Sequence, residues 1–204
     1  EATGQDSQAF GAQNKATERY ASAFGHENEA KAYAGSALGV KNVATGNFAS
    51  AVGYDNTASN YLANAIGTSN VASGAYANAY GVHNEANASY ASAFGYSNEA
   101  SGLASSAVGF RNKAASENAS AVGYGNNANA LAASAVGYNN TAGGVGSSTI
   151  GYNNTATNEN ASAFGYGNTA GGLASSAFGF SNTASGDNAN AFGYNNIASG
   201  SKSR

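Results

Sequence analysis

A fixed order of apolar, glycine and polar positions returns every fourteen residues along the chain. In residues 161–170, ASAFGYGNTA, a large apolar residue precedes a glycine, and a polar stretch leads to a second alanine. With that glycine as position 0, asparagine stands at +3 and alanine at +5 in every copy, and alanine stands at −2 in all but one. A strict short period of this kind is the sequence signature of a solenoid. The position-0 glycines are Gly11, Gly25, Gly39, Gly53, Gly67, Gly81, Gly95, Gly109, Gly123, Gly137, Gly151, Gly165, Gly179 and Gly193.

Each copy is expected to form one coil of the solenoid, built from one long and one short strand. At residues 161–166 small residues alternate with larger ones, so one strand face is small and the other carries Phe164 and Tyr166. A bend should follow at Gly167-Asn168, because asparagine tolerates left-handed dihedral angles. A short strand then carries the +5 alanine, and a return turn follows, often with glycine at +7. We therefore expect an all-β fold, a parallel β-roll of fourteen coils.

The asparagine column at +3, from Asn14 to Asn196, has two interpretations. The favoured one is a turn residue and nothing more. The other is a ladder, because identical amides stacked one coil apart can hydrogen-bond along the solenoid axis. In neither case do we assign these residues a role in ligand binding.

The width of the coil indicates which face of the long strand lies inside. Two strands of about five residues make a coil only about 17 Å wide, so we expect the alanines at −2 and +5 to fill it. The large residues at −1 then form an outward apolar stripe, which a soluble monomer rarely exposes, and we predict that it is buried in a symmetric oligomer. The opposite assignment, with large residues inside and alanines at the interface, stays open. The predicted interface residues are Phe24, Leu38, Val52, Ile66, Phe94, Val108, Val122, Val136, Ile150, Phe164, Phe178 and Phe192.

Aromatic residues occupy two further sets of positions. From Tyr96 to Tyr194 the +1 position is aromatic in every coil, which predicts a stabilising ladder of stacked rings; a glycan- or protein-binding strip is the alternative. In the first half of the chain, rings stand instead at −5 or −6, around the return turn. Rings there offer flat, amphipathic contact area, so we take them as candidate ligand contacts; the alternative is that they fill grooves between protomers. They are Tyr20, Tyr33, Phe48, Tyr61, Tyr76 and Tyr90.

Composition and charge narrow the function classes. Charged residues make up 9% of the chain and the formal net charge is −3, so there is no basic stripe for nucleic acid. No apolar run approaches the about 20 residues of a membrane helix. His26 and His83 stand more than four coils apart, no pair of carboxylates recurs, and the serines lack a partner base. We therefore expect no enzyme activity, no metal site and no cofactor.

Three segments carry a resemblance to a known family: residues 161–165, 118–123 and 174–179, which read ASAFG, NASAVG and ASSAFG. They resemble the repeats in the head domain of trimeric autotransporter adhesins, and the likeness covers about residues 5 to 200. The resemblance implies a left-handed parallel β-roll assembled as a parallel homotrimer. It also implies display on the surface of a Gram-negative bacterium, through a stalk and a C-terminal outer-membrane anchor that this sequence does not include. We expect residues 1–200 to be a single head domain, cut from a longer chain, and residues 201–204 to be a polar tail or the start of the next segment.

The resemblance implies an adhesive head that binds host extracellular-matrix or cell-surface proteins, with glycans as another ligand class, through the outer faces of the trimer. The alternative is a structural spacer that holds other binding domains away from the cell and has no ligand of its own. The chain departs from the family at position −3, where serine or asparagine, as at Ser22 and Asn64, replaces a frequent valine. We therefore expect a more polar subunit interface and carry over no ligand identity.

Overall fold

The computed structural model describes residues 1–203, which form strands, turns and bends with no helix. Arg204, the last residue of the predicted polar tail, lies outside the described residues. The chain divides into two compact units, Glu1–Ser101 (unit 1) and Gly102–Arg204 (unit 2). Each unit contains seven coils, and each coil has one five-residue strand and one two-residue strand.

In unit 1 the long strands pair in parallel in chain order, and so do the short strands. Every residue faces the residue fourteen positions later, as Ala23 faces Ala37. The long strands are β1 (Gln8–Ala12), β3 (Ser22–His26), β5 (Ser36–Val40), β7 (Ser50–Tyr54), β9 (Asn64–Thr68), β11 (Asn78–Val82) and β13 (Ser92–Tyr96). The short strands are β2 (Lys15–Ala16), β4 (Glu29–Ala30), β6 (Val43–Ala44), β8 (Thr57–Ala58), β10 (Val71–Ala72), β12 (Glu85–Ala86) and β14 (Glu99–Ala100).

Unit 2 repeats this arrangement with the same fourteen-residue register. Its long strands are β15 (Ser106–Phe110), β17 (Ser120–Tyr124), β19 (Ser134–Tyr138), β21 (Ser148–Tyr152), β23 (Ser162–Tyr166), β25 (Ser176–Phe180) and β27 (Asn190–Tyr194). Its short strands are β16 (Lys113–Ala114), β18 (Asn127–Ala128), β20 (Thr141–Ala142), β22 (Thr155–Ala156), β24 (Thr169–Ala170), β26 (Thr183–Ala184) and β28 (Ile197–Ala198).

The parallel β-solenoid of about fourteen coils predicted from the sequence is therefore confirmed. The predicted long strand was one residue too long at its start, since β23 begins at Ser162 and not at Ala161. The Ala161 amide donates instead to the Asn158 carbonyl at 3.1 Å and so closes the return turn. The predicted bend after the long strand is present, with Gly167 at a φ of 63°.

Alanine fills the interior of both units. Ala23 and Ala30, at −2 and +5 of one coil, are both fully buried, and so are their equivalents in almost every other coil. The large residues at −1 lie on the outer face of the long strands, so the interpretation with large residues inside is wrong. The interior of the coil is already filled by the alanines and by the buried asparagines at +3, so it has no room for large apolar side chains.

The glycine at position 0 follows from the close stacking of neighbouring coils. Gly165 has a φ of 118°, a backbone conformation that L-residues avoid. A Cβ added there would lie 2.1 Å from the carbonyl oxygen of Gly179 in the next coil. The backbone of the next coil therefore leaves no room for a side chain at this position.

Candidate functional site

The asparagine column is a buried ladder of amides and not only a row of turn residues. Asn140 is fully buried, and its main-chain and side-chain nitrogens both donate to the Oδ1 of Asn126, each at 3.0 Å. Its side-chain nitrogen also donates to the carbonyls of Val136 at 3.0 Å and Gly151 at 2.8 Å. The favoured sequence interpretation is thus wrong, because the +3 side chain points into the coil, where a polar group must be hydrogen-bonded. The ladder is part of the core.

On the outer face of unit 2, the aromatic residues at +1 form a stacked column. Neighbouring ring centroids are 4.8 to 5.2 Å apart and the ring planes lie within 11° of parallel. The predicted stacking of these rings is confirmed for this part of the chain, while its stabilising effect stays a prediction. Tyr152, for example, packs between Tyr138 and Tyr166, whereas Tyr194 at the end of the column is 72% exposed. Its members are Phe110, Tyr124, Tyr138, Tyr152, Tyr166, Phe180 and Tyr194.

The twelve residues predicted to form a subunit interface all lie on the outer faces of the long strands, at −1. Their exposure in the single chain ranges from half-buried to 59% at Phe192. In unit 1, Leu38 and Phe94 are exposed and the others half-buried, namely Phe24, Val52 and Ile66. In unit 2, the exposed members are Val108, Val122, Ile150 and Phe192, and the half-buried ones are Val136, Phe164 and Phe178. Their burial between chains stays a prediction.

The six rings predicted as ligand contacts form one continuous surface in unit 1, the aromatic strip (Tyr20, Tyr33, Phe48, Tyr61, Tyr76 and Tyr90). Five successive ring pairs join them, with centroids 4.9 to 5.9 Å apart. The first four pairs meet edge to face, at interplanar angles of 75° to 88°, and only the last pair is stacked. Every ring is exposed, from 37% at Tyr33 to 58% at Tyr90. The structure thus brings these residues together, while a ligand role stays a prediction.

The Arg19 guanidinium lies over the Tyr20 ring at the start of the aromatic strip, 4.5 Å from the ring centroid, and neutral polar groups flank the rest. The Asn47 Oδ1 accepts from the Tyr33 main-chain N–H at 3.2 Å, and the Asn60 Oδ1 accepts from the Tyr61 main-chain N–H at 2.8 Å. On the side of the long strands, Asn64 donates to the Oδ1 of Asn78 at 3.1 Å. The border of the strip therefore presents amide and hydroxyl groups in a fixed geometry.

Charged side chains gather in the first coils of unit 1. Lys15 and Lys31 both contact the Glu29 carboxylate, and Lys15 does so at 3.1 Å. Hydrogen bonds from Lys31 and then Lys15 hold the pKa of the Glu29 carboxyl below its usual range. Within residues 1–203, no group of three or more His, Asp or Glu side chains is arranged to hold a metal ion. Nor does any helix in the described part of the chain have the length and apolar character to cross a membrane.

Comparison with known sequences identifies the family. The sequence model of the YadA head domain repeat, in two copies, matches residues 2–28, 30–56, 86–112, 100–126, 142–168, 170–196 and 184–203. The chain belongs to the family of YadA head domain repeats. YadA-type heads belong to adhesin-type structural proteins, so this chain is part of an autotransporter adhesin-type protein of the bacterial cell surface. A search among curated proteins found no match.

Sequence reasoning missed one feature of the aromatic strip. Tyr20, Phe48, Tyr76 and Tyr90 have left-handed backbone, with φ between 59° and 62°. Bulky residues rarely adopt this conformation. The signal was available in unit 2, where the same −5 position holds Asn118, Gly146 or Asn160, residue types that favour left-handed backbone.

Proposed function

We propose that this chain is the adhesive head of a trimeric autotransporter adhesin, which binds host extracellular-matrix or cell-surface proteins. In this proposal residues 1–200 form one left-handed head domain, and three parallel copies surround a common axis. Residues 201–204 are a polar tail or the start of the next segment. The head projects from the outer membrane of a Gram-negative bacterium and is held there by a C-terminal anchor outside this sequence. It works by binding alone, without a cofactor, a metal or catalysis.

The apolar column at −1 supports the trimer. A single chain leaves Leu38 49% and Ile150 45% exposed, and large residues recur at the same place in the other coils. Monomeric soluble proteins rarely expose a contiguous apolar surface of this kind. A symmetric oligomer removes it from water by packing the same column of each copy against its neighbours.

The aromatic strip is the observation that supports adhesion most directly. Its rings lie in the return turns, outside the long strands that carry the −1 column, so a trimer packed through those strands leaves the strip accessible. Tyrosine and other aromatic side chains dominate the binding energy of many protein interfaces. Many trimers on one cell would add avidity to a modest affinity at each strip.

Binding of the purified chain to immobilised matrix and cell-surface proteins tests this function. The informative variant carries Tyr33→Ser and Tyr61→Ser, both at −6 in unit 1. Its matched control is Leu131→Ser, at −6 in unit 2, where the wild-type side chain is 45% exposed against 41% for Tyr61. We expect the wild type and the control to bind, and the double variant to bind about tenfold more weakly or worse.

If the folded wild-type chain binds none of these proteins, the adhesive function is wrong and the alternative function applies. The chain would then be a structural spacer that holds other binding domains away from the cell surface. If the double tyrosine variant binds as well as the wild type, the chain is still an adhesive head, but the aromatic strip is not its binding surface.

A further inference from the structure

We propose that the aromatic strip of unit 1 is a binding platform for an extended, uncharged glycan chain. This rests on the adhesive function proposed above and names the ligand class for the same surface. Four observations support it: exposed rings that mostly meet edge to face, bulky residues at left-handed backbone positions, a central stretch that is almost free of charge, and one ring in every coil.

Most rings of the strip meet edge to face, unlike those of the stacked column in unit 2. In that column, Tyr138 and Tyr152 lie 2° from parallel at 4.8 Å, so each ring covers the face of the next. In the strip, Phe48 and Tyr61 meet at 88°, so the edge of one ring contacts the other and face area remains uncovered. An aromatic face carries partial negative charge. The weakly positive C–H groups on the flat side of a pyranose ring can therefore pack on it.

The fold requires left-handed backbone at −5 in every coil, and the strip places bulky aromatic residues there. Tyr20, Phe48 and Tyr76 have left-handed φ values of 62°, 59° and 60°. At the same position unit 2 builds the same turn with alanine, or with asparagine or glycine, which suit this conformation better, as at Asn118 and Gly146. An observed backbone outlier of this kind is evidence for a function at the surface that it presents.

Arg19 lies over the Tyr20 ring at the start of the strip, but the middle of the strip, from Phe48 to Tyr76, matches a neutral, hydroxyl-rich ligand. Asp55 is the only Asp, Glu, Lys or Arg between residues 42 and 84, and it lies in the bend after a long strand, away from the return turns. The neighbours of the rings are amides and hydroxyls such as Asn60, whose Nδ2 donates to the Ser73 carbonyl at 3.1 Å. Ser73 in turn donates to the Asn87 Oδ1 at 3.1 Å. Such groups donate to and accept from sugar hydroxyls, whereas an anionic glycan would need cations that this stretch lacks.

The spacing of the rings indicates a chain and not a single sugar. Each of six successive coils supplies one ring, from −5 or from −6, so that Tyr33 and Tyr61 stand beside the smaller Ala34 and the aliphatic Leu62. Coils stack about 4.8 Å apart, which gives a strip about 24 Å long with a ring at every step. This step is comparable to the length of one pyranose unit in an extended chain. A linear polymer can therefore contact several rings at once, and affinity should rise with its length.

Titration calorimetry with neutral linear oligosaccharides tests the proposal on the complete chain. The probes are cello-oligosaccharides and N-acetylated chito-oligosaccharides, each from the disaccharide to the hexasaccharide, with a heparin hexasaccharide as the charged comparison. We expect binding in at least one neutral series, with affinity that rises with length and changes little with salt. The Tyr33→Ser, Tyr61→Ser variant should lose about tenfold or more in affinity for the hexasaccharide. Leu131→Ser should bind like the wild type.

Three results would overturn the glycan assignment. They are the absence of binding by both neutral series, binding of heparin alone with strong salt dependence, and neutral-glycan binding that the double tyrosine variant leaves unchanged. The protein-binding assay above is run on the same preparation. A chain that binds matrix proteins but no neutral glycan keeps its adhesive function and loses only this ligand class, while a chain that binds neither loses both.

Discussion

The interior of each coil is held by side chains that hydrogen-bond from coil to coil. The Asn154 main-chain and side-chain nitrogens donate to Asn140 Oδ1 at 2.9 and 3.0 Å, and Asn140 makes the same pair of bonds to Asn126. A buried amide that satisfies its neighbours in this way stabilises the fold, because each partner left alone would remain unpaired away from water. One asparagine thus contributes to three successive coils.

Replacement of one buried asparagine should therefore destabilise the protein strongly. We expect Asn140→Ala to lower the free energy of unfolding by about 3–5 kcal/mol, because several buried bonds are lost and their partners stay unsatisfied. Urea unfolding followed by circular dichroism measures the effect. Asn129→Ala, at an exposed position in the same unit, serves as the control and should change stability by less than about 0.5 kcal/mol. Equal stability of both variants would contradict the ladder.

Two glycines of unit 2 give a matched test of the crowding at position 0. In Gly165→Ala the new Cβ would lie 2.1 Å from the Gly179 carbonyl oxygen, and we expect a loss of about 3 kcal/mol or more. In Gly143→Ala the nearest atom lies at 3.7 Å, an ordinary contact. That substitution should be neutral or stabilise by up to about 1 kcal/mol, because alanine restricts the unfolded chain. Thermal unfolding of the two variants measures both changes in stability. A Gly165→Ala protein as stable as the wild type would contradict the stacking geometry.

The Glu29 carboxylate predicts a small dependence of stability on pH. Its pKa is lowered in the folded protein, mainly by the hydrogen bond from Lys31 and then by that from Lys15. The carboxylate therefore contributes stability above the usual carboxyl pKa of about 4.3, and this contribution disappears as pH falls through the lowered value. Glu29→Gln should be slightly less stable than wild type at pH 7 and equal to it once the carboxylate is protonated. A stability difference that does not depend on pH would rule out this ion pair as its cause.

At the scale of the element, the position of a ring within the coil determines how rings pack. In unit 2 the rings occupy +1 in every coil, so the fourteen-residue register places them directly over one another, as with Tyr152 and Tyr166 at 4.8 Å. In unit 1 they alternate between −5 and −6, so successive rings are offset and meet edge to face, as with Tyr33 and Phe48 at 75°. The rings of the column therefore stack face to face, whereas most rings of the strip contact one another edge to face.

The stacked column should contribute measurably to the stability of unit 2. Tyr152 stacks on Tyr138 and on Tyr166, each at 4.8 Å. Since such a pair contributes about 0.5–1.5 kcal/mol beyond burial, we expect Tyr152→Ala to cost about 1–3 kcal/mol. Tyr152→Phe keeps the ring and should be nearly neutral. Urea unfolding of both variants measures these changes in stability. If Tyr152→Phe is as unstable as Tyr152→Ala, the stability comes from the tyrosine hydroxyl and not from ring stacking.

Much of the element structure could be predicted from the sequence, because period and register are the same quantity in a solenoid. The long and short strands, the alanine interior and the bend at Gly167 all follow from residue size and turn preference at fixed positions. The direction of the +3 side chain could not be predicted from the sequence, because asparagine is equally suitable for an exposed turn and for a buried ladder. The packing angles of the strip were also out of reach, since they depend on the exact offset between Tyr33 and Phe48.

At the scale of the whole molecule, the exposed column at −1 is the feature that the proposed trimer explains. Long strands in both units carry it, and side chains such as Leu38 and Ile150 are nearly half exposed in the single chain. The family of YadA head domain repeats supports a trimer as the form in which this surface is covered. In the proposed trimer, three aromatic strips would be available to ligands at once.

The solution mass of the purified chain, measured by light scattering at several concentrations, tests this account most directly. We expect a mass near three times 20.0 kDa, together with a β-type circular dichroism spectrum. A charge in the −1 column, as in Val136→Asp, should shift that mass towards one chain, because an unpaired carboxylate is costly to bury. A folded wild-type chain that stays at the mass of one copy at every concentration would contradict the trimer and leave the apolar column without a partner.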